Sequence, residues 1–247
     1  MTNIYDNSDF FSKYSQMSRS LDGLEGAGEW ETLKKVLPDF TNKAVLDLGC
    51  GYGWHCNYAV EQGAQSVVGI DQSKKMLEVA KEKFNSSKIS YILSSIEDID
   101  FQKNSFDIVI SSLALHYVKD YDRLIQKISE MVKVGGRILF TVEHPTFTAY
   151  GSQDWYYNEE GEILHFPVDN YYVEGKREAV FLGTTMTKYH RTLSTYLDTL
   201  VQHGFQIDRV LEPEPAEKRL ADGSLNNEMR RPMMLIISAF KKDASNE

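Results

Sequence analysis

The stretch "AVLDLGCGYGWHCNYAV", residues 44–60, places glycines at 49, 51 and 53 directly after an apolar run. An apolar run that ends in flexible residues and then turns amphipathic reads as a strand, a tight loop and a helix. Glycine permits positive φ and lets another molecule approach the main chain. In an open α/β sheet that approach occurs outside the carboxyl ends of the strands. The spacing is G-x-G-x-G; Trp54 stands where a dinucleotide-binding loop would carry its path toward a third glycine, and a bulky ring there suits a pyrophosphate poorly.

Working outward, "SVVGI" (66–70), "ISYIL" (89–93), "FDIVIS" (106–111) and "GRILFTV" (136–142) read as further strands, apolar on both faces as in a covered parallel sheet. Helical patterns separate them. "GWHCNYAVEQG" ends at Gly63. "DQSKKMLEVAKEKF" carries Ser73 as N-cap and a stripe of Met76, Leu77, Ala80 and Phe84. "DYDRLIQKISEMVKVGG" carries Leu124, Ile125, Ile128, Met131 and Val132 and is expected to stop at Gly135-Gly136. The alternation predicts a doubly wound α/β sheet with right-handed crossovers. A late helix in "YHRTLSTYLDTLVQHG", with Leu193, Tyr196, Leu197, Leu200 and Val201 on one face, and two strands, "FQIDRVLE" and "RPMMLIISAF", close the chain.

Four strand ends in succession carry small, polar or acidic groups. Asp71 ends the second strand, where a carboxylate suits two ribose hydroxyls. "SSIED" offers Ser95, Ile96 and Glu97; "SSLALHY" (111–117) follows the fourth strand; Glu143 and His144 end the fifth. The aromatic-rich residues 144–188 are too long for a plain connection and read as a lid, the rings interleaved with glycine and charge. "YSQMSRSLDGLEGAGEW" (14–30) is a second cover, with Tyr14, Met17 and Arg19 as candidates to touch a bound cofactor.

With these motifs in place, "VLDLGCGYG", "GIDQS" and "SIEDIDFQKNSFDIVISSLALHYV" resemble the class I S-adenosylmethionine-dependent methyltransferases, within them the small-molecule enzymes typified by ubiquinone biosynthesis. The resemblance implies a Rossmann-like seven-stranded sheet with its last strand antiparallel. It implies S-adenosyl-L-methionine as cofactor and S-adenosyl-L-homocysteine as product. Asp47, Gly49 and Gly51, with Cys50 and Gly53 in the same loop, would face the methionine part; Asp71 the ribose; Gln72 and Met76 the adenine. Ser95, Ile96 and Glu97 would line the base, and Ser111 the methionyl amine. The family often has Asp at the position of Ser95. The expected organisation is one domain over 1–247: an N-terminal cover (1–40), a cofactor core (41–143), the lid (144–188), and a last helix with two strands (189–247).

For chemistry, His144, Glu143 and His116 are the candidate proton acceptors, and no metal is required. His116 also reads as a wall of the cofactor pocket. His190 and Arg191 are expected to start the late helix by capping or salt bridging. Arg177, Lys188, Arg191, Arg230 and Arg231 would suit a carboxylate or phosphate on the acceptor, although surface ion pairing is the plainer reading. The formal net charge of -9 argues against a nucleic-acid partner, and no apolar run spans a membrane. Two cysteines, Cys50 and Cys56, fit neither a zinc site nor a disulfide framework, which suggests a reducing, cytoplasmic setting. The expected partner is a small-molecule acceptor; a non-catalytic nucleotide-binding module and a protein or nucleic-acid methyltransferase are the alternatives.

Overall fold

A computed structural model describes residues 3–215 and 226–243. Three short helices come first: α1 (Ser8–Ser15), α2 (Ser18–Leu21) and α3 (Trp30–Leu33). The alternating part follows as β1 (Ala44–Leu48), α4 (Trp54–Glu61), β2 (Ser66–Asp71), α5 (Lys74–Lys83), β3 (Ile89–Leu93), β4 (Phe106–Ser112), α6 (Tyr121–Met131) and β5 (Val132–Glu143). After β5 come α7 (Pro145–Thr148), β6 (Tyr156–Tyr157), β7 (Ile163–His165), β8 (Gly175–Phe181) and β9 (Thr184–His190). The chain closes with α8 (Leu193–Gln202), β10 (Phe205–Leu211) and β11 (Met234–Lys241).

Seven strands form one sheet in the order β10-β11-β5-β4-β1-β2-β3. β1 to β5 run parallel, and β11 is antiparallel to both β5 and β10. This is the expected seven-stranded, doubly wound arrangement. The strand order reverses beside β1, so the loop after β1 opens into a crevice at the carboxyl edge. One face packs α6 and α8 through Leu124, Ile125, Ile128, Tyr196 and Leu200; the other packs α4 and α5 through Cys56, Ala59 and Leu77. Among the described residues no helix is long and apolar enough to cross a membrane.

Local chemistry fixes the helix starts. Ser73 Oγ accepts from Met76 N (3.2 Å) at α5, Asp120 from Arg123 N (3.0 Å) at α6, and Thr192 from Thr195 N (3.1 Å) at α8. Three expectations need correction here. α6 stops at Met131, not at the Gly135-Gly136 pair: Asn104 N and Ser105 N bind the carbonyls of Glu130 and Met131, and β5 begins at once. Val201 is exposed, outside the buried stripe of α8. His190 and Arg191 precede α8, whose cap is Thr192.

The insertion after β5 contains regular structure that the sequence reading left unassigned. β8 and β9 form a full antiparallel hairpin from Gly175↔His190 to Phe181↔Thr184, past the expected lid boundary at 188. Residues 216–225 and 244–247, within the expected last part, lie outside the described residues.

Candidate active site

The glycine loop is built by main-chain bonds. Gly49 N and Cys50 N both donate to Ile70 O, at 2.8 and 2.9 Å, which ties the end of β1 to β2. Gly49, Gly51 and Gly53 all have positive φ, and each is glycine for its own reason. A Cβ at Gly49 would stand 2.5 Å from Ala114 Cβ; one at Gly53 would stand 2.5 Å from Tyr91 Oη; one at Gly51 would meet no protein atom within 4 Å. Gly51 therefore faces open space. Asp71 meets it there: Oδ2 accepts from Gly51 N (2.9 Å) and Oδ1 from Ser73 N (2.8 Å). Burial pushes the Asp71 carboxyl up, and these main-chain donors pull it back.

A cavity of about 520 Å³ opens on this loop. At one end lie Gly49, Gly51, Asp71, Gln72, Met76, Ser95, Ile96 and Glu97. Tyr14, Met17 and Arg19 of the N-terminal segment line it as well, with Ser112, Leu113 and Ala114 after β4. The far end is walled by His116, Glu143, Phe147, Phe181, Lys188 and Arg231.

Some expected residues lie behind this wall. Asp47, Cys50, Gly53 and Ser111 do not line the cavity. Asp47 is buried and accepts from Cys56 Sγ (3.2 Å); burial raises its carboxyl to about 7. Ser111 Oγ donates to Leu48 O (2.7 Å), while its neighbour Ser112 reaches the rim. Gly53 makes room for Tyr91. His144 also misses the cavity: its Nδ1 accepts from Thr146 N (3.0 Å) as the cap of α7, and its Nε2 lies 2.8 Å from Glu212 Oε1.

The basic residues within or near the insertion are each engaged by protein groups, so they are not free cations. Arg191 donates to the carbonyls of Val118 and Lys119, and Arg177 to those of Ala149 (3.0 Å) and Val173 (2.6 Å). Arg230 donates to Leu164 O (2.5 Å). Arg231 pairs with Glu228 (2.6 Å) and lies against Phe147, Trp155 and Phe166, its head 4.6 to 4.9 Å from their ring centres.

Glu143 is the most heavily held group at the far end. Lys188 Nζ lies 2.5 Å from its Oε1, and Gln153 Nε2 donates to Oε2 at 2.6 Å. Burial alone would raise the Glu143 carboxyl; the charge His116 carries when protonated, Lys188 and Gln153 outweigh it and leave the carboxyl below its ordinary range. Burial lowers His116 to about 4. His116 is thus neutral near pH 7, and Lys188 is the cation that keeps Glu143 ionised. Glu143 N donates to His116 Nδ1 (3.3 Å), which places the imidazole proton on Nε2.

The sequence reading missed Glu29. It is buried, lines the cavity, pairs with Arg19 and accepts from Ser112 Oγ at 3.2 Å. Its only signal was an acidic residue following "EGAG". Tyr5, inside the expected N-terminal cover (1–40) but not among its named candidates, also lines the cavity.

The open face at Gly51, a carboxylate fixed beside it, and a buried Arg19–Glu29 pair suit a ligand with vicinal hydroxyls and an amino-acid zwitterion. S-adenosylmethionine has both. The comparisons agree. A methyltransferase-domain family model matches residues 46–140. A crystal structure from Listeria monocytogenes assigned to the S-adenosylmethionine dependent methyltransferases is 52% identical, covers 90% of this chain and 100% of its own, and superposes with a TM-score of 0.86. The S-adenosylmethionine dependent methyltransferase from Mesorhizobium loti is 38% identical, covers 89% of this chain and 100% of its own, with a TM-score of 0.82. The demethylmenaquinone methyltransferase of Lactococcus lactis is 32% identical over 126 residues, 49% of this chain and 50% of that protein. The chain belongs to the class I S-adenosylmethionine-dependent methyltransferases, with S-adenosylmethionine as its cofactor, and resembles the small-molecule enzymes among them.

Proposed function

We propose that this enzyme methylates a small molecule bound between His116, Glu143, Phe147, Phe181 and Lys188. The observation that carries the proposal is one continuous cavity whose lining comes from the glycine loop, the N-terminal segment and, through Phe181 and Lys188, the β8–β9 hairpin. A concave cavity of this size, mainly apolar with a few convergent polar groups, suits a small acceptor beside the cofactor. The demethylmenaquinone relative, whose named activity is on a small molecule, supports the same reading.

S-adenosylmethionine supplies an electrophilic methyl group on a positively charged sulfur. In our reading, Gly49 and Gly51 offer bare main chain, Asp71 holds the ribose, and Gln72, Met76, Ser95, Ile96 and Glu97 line the base. Arg19 takes the methionyl carboxylate and Glu29 the ammonium. At the far end the neutral His116 donates through Nε2 and orients the acceptor. Glu143, kept ionised by Lys188, receives a proton where the acceptor must lose one. The cover excludes water and fixes the approach of the acceptor, which supplies much of the acceleration.

The test is S-adenosylhomocysteine release over a panel of small phenols, amines, acids and thiols. Turnover with one chemical class, reduced at least about tenfold in Glu143→Gln, is the expected result. Silence across the panel, with turnover on peptides or oligonucleotides, would overturn it.

A further inference from the structure

Three phenols gather on the wall of this cavity. Tyr5, Tyr14 and Tyr117 all line it. The Tyr5 ring centre lies 5.5 Å from that of Tyr14 and 6.5 Å from that of Tyr117, both nearly perpendicular. Tyr5 Oη donates to Tyr117 Oη at 3.3 Å. Tyr14 in turn meets Tyr52 of the glycine loop, edge to face at 5.9 Å. Tyr117 lies 4.4 Å from the His116 ring, which is bonded to the end of β5. The trio therefore joins the cofactor loop to the acceptor end.

Tyr5 is held in this place by its neighbour. The Asp6 carboxylate accepts from Ser73 Oγ (2.7 Å) and Lys75 N (3.1 Å), at the start of α5 and two residues beyond Asp71. Each phenol is half-buried and turns part of its surface to the cavity. Burial pushes all three hydroxyls up, so they remain protonated and uncharged at neutral pH. Neutral aromatic faces attract a cation, more strongly once water is excluded.

S-adenosylmethionine and S-adenosylhomocysteine differ by one methyl group and one positive charge on sulfur. We propose that Tyr5, with Tyr14 and Tyr117, forms a cage that recognises the sulfonium charge, so that the enzyme holds its cofactor more tightly than its product. Methyl transfer removes that charge, and the same rings then hold the product less well. The cage acts on cofactor selection and product release. Asp71 and Glu29 grip the parts that cofactor and product share, so they contribute little to this difference.

The test compares calorimetric Kd values for S-adenosylmethionine and S-adenosylhomocysteine in the full chain. Tyr5→Leu is expected to weaken S-adenosylmethionine about tenfold and S-adenosylhomocysteine by about twofold or less. Tyr5→Phe keeps the ring, folds under the same cover, and takes a smaller loss, about threefold, again confined to the charged ligand. Asp6→Ala loosens the whole segment and should weaken both ligands in step. If Tyr5→Leu and Tyr5→Phe also weaken both equally, or neither, the cage is overturned and Tyr5 is only part of the cover. Product binding by the wild type reports on the cofactor site itself, so failure of that site is told apart from failure of the cage.

Discussion

The rim of the sheet and the cover above it are held by different kinds of contact. At the rim, Gly49, Cys50, Gly51 and Leu113 are fixed by main-chain donors bonded to the neighbouring strands or to Asp71 and Thr141. In the cover, single side chains reach across long stretches of chain. Lys13 of α1 donates to Leu182 O (3.1 Å), Phe10 meets Phe181 at 5.9 Å, and Lys188 pairs with Glu143. A ladder of main-chain bonds sets positions cooperatively. A cover of pairwise contacts opens by breaking few of them, which is what a site that must admit two ligands requires. The rim should therefore carry the larger share of affinity, and the cover should control closure.

The largest effect is expected at the rim. Asp71→Ala removes the proposed ribose acceptor and leaves Gly51 N and Ser73 N without their partner. Two charge-assisted hydrogen bonds correspond to a loss of S-adenosylmethionine affinity of about a hundredfold or more. A folded variant that binds the cofactor as the wild type does would remove Asp71 from its role and would leave the rim without its main grip.

The same contrast explains what the sequence disclosed. Asp71, Gln72, Met76 and the Ser95–Glu97 run were legible because each follows directly from a strand end, and strand ends are visible as breaks in hydrophobic periodicity. Asp47 and Ser111 were misplaced for a related reason. Strands buried on both faces show no alternation, so the sequence does not say which of two neighbours points to the crevice. Ser111 turns to Leu48 O while Ser112 faces Glu29. Gly53 looked like part of the ligand surface, but its bareness serves Tyr91, a residue of β3. In the cover, the β8–β9 hairpin was hidden because its face carries Lys, Arg, Glu and Thr among the apolar residues. The Arg19–Glu29 and Lys188–Glu143 pairs depend on the folded path and have no local signature.

A smaller but still large effect is expected where the cover crosses the rim. The Lys188 and Glu143 side chains are 4% and 16% exposed. Lys188→Met strands a carboxylate in a low-dielectric setting and should cost about 3 kcal/mol, a Tm fall of roughly 6–12 °C. Lys188→Met with Glu143→Met should recover most of that, because an apolar pair leaves no charge unpaired. The pH dependence has a definite sign. The folded-state Glu143 carboxyl lies below its ordinary value, so its contribution is complete above the unfolded carboxylate range and is lost as pH falls through the folded value. The gap between wild type and Lys188→Met should accordingly be widest near pH 7 and close toward pH 3. A small Tm change, flat with pH, would mean that the pair is an ordinary surface contact.

The smallest effect on stability, and the most direct probe of closure, is expected at Lys13. Its ammonium is an exposed donor to Leu182 O at the hairpin turn, and Leu182 holds a positive φ of 53°. Lys13→Met removes one hydrogen bond at the surface, worth about 1 kcal/mol or less, and leaves the Phe10–Phe181 contact in place. Global unfolding should therefore shift little. Local opening should change more, because this bond is one of the few that join the N-terminal cover to the hairpin. Amide hydrogen exchange over Thr184–Met186 and Phe10–Tyr14 is expected to rise together in the variant, while exchange in β1 and β4 stays as it was. If only one of the two segments loosens, the covers move independently. If neither does, the aromatic contact alone latches them, and the division of labour between rim and cover rests on Phe10 and Phe181.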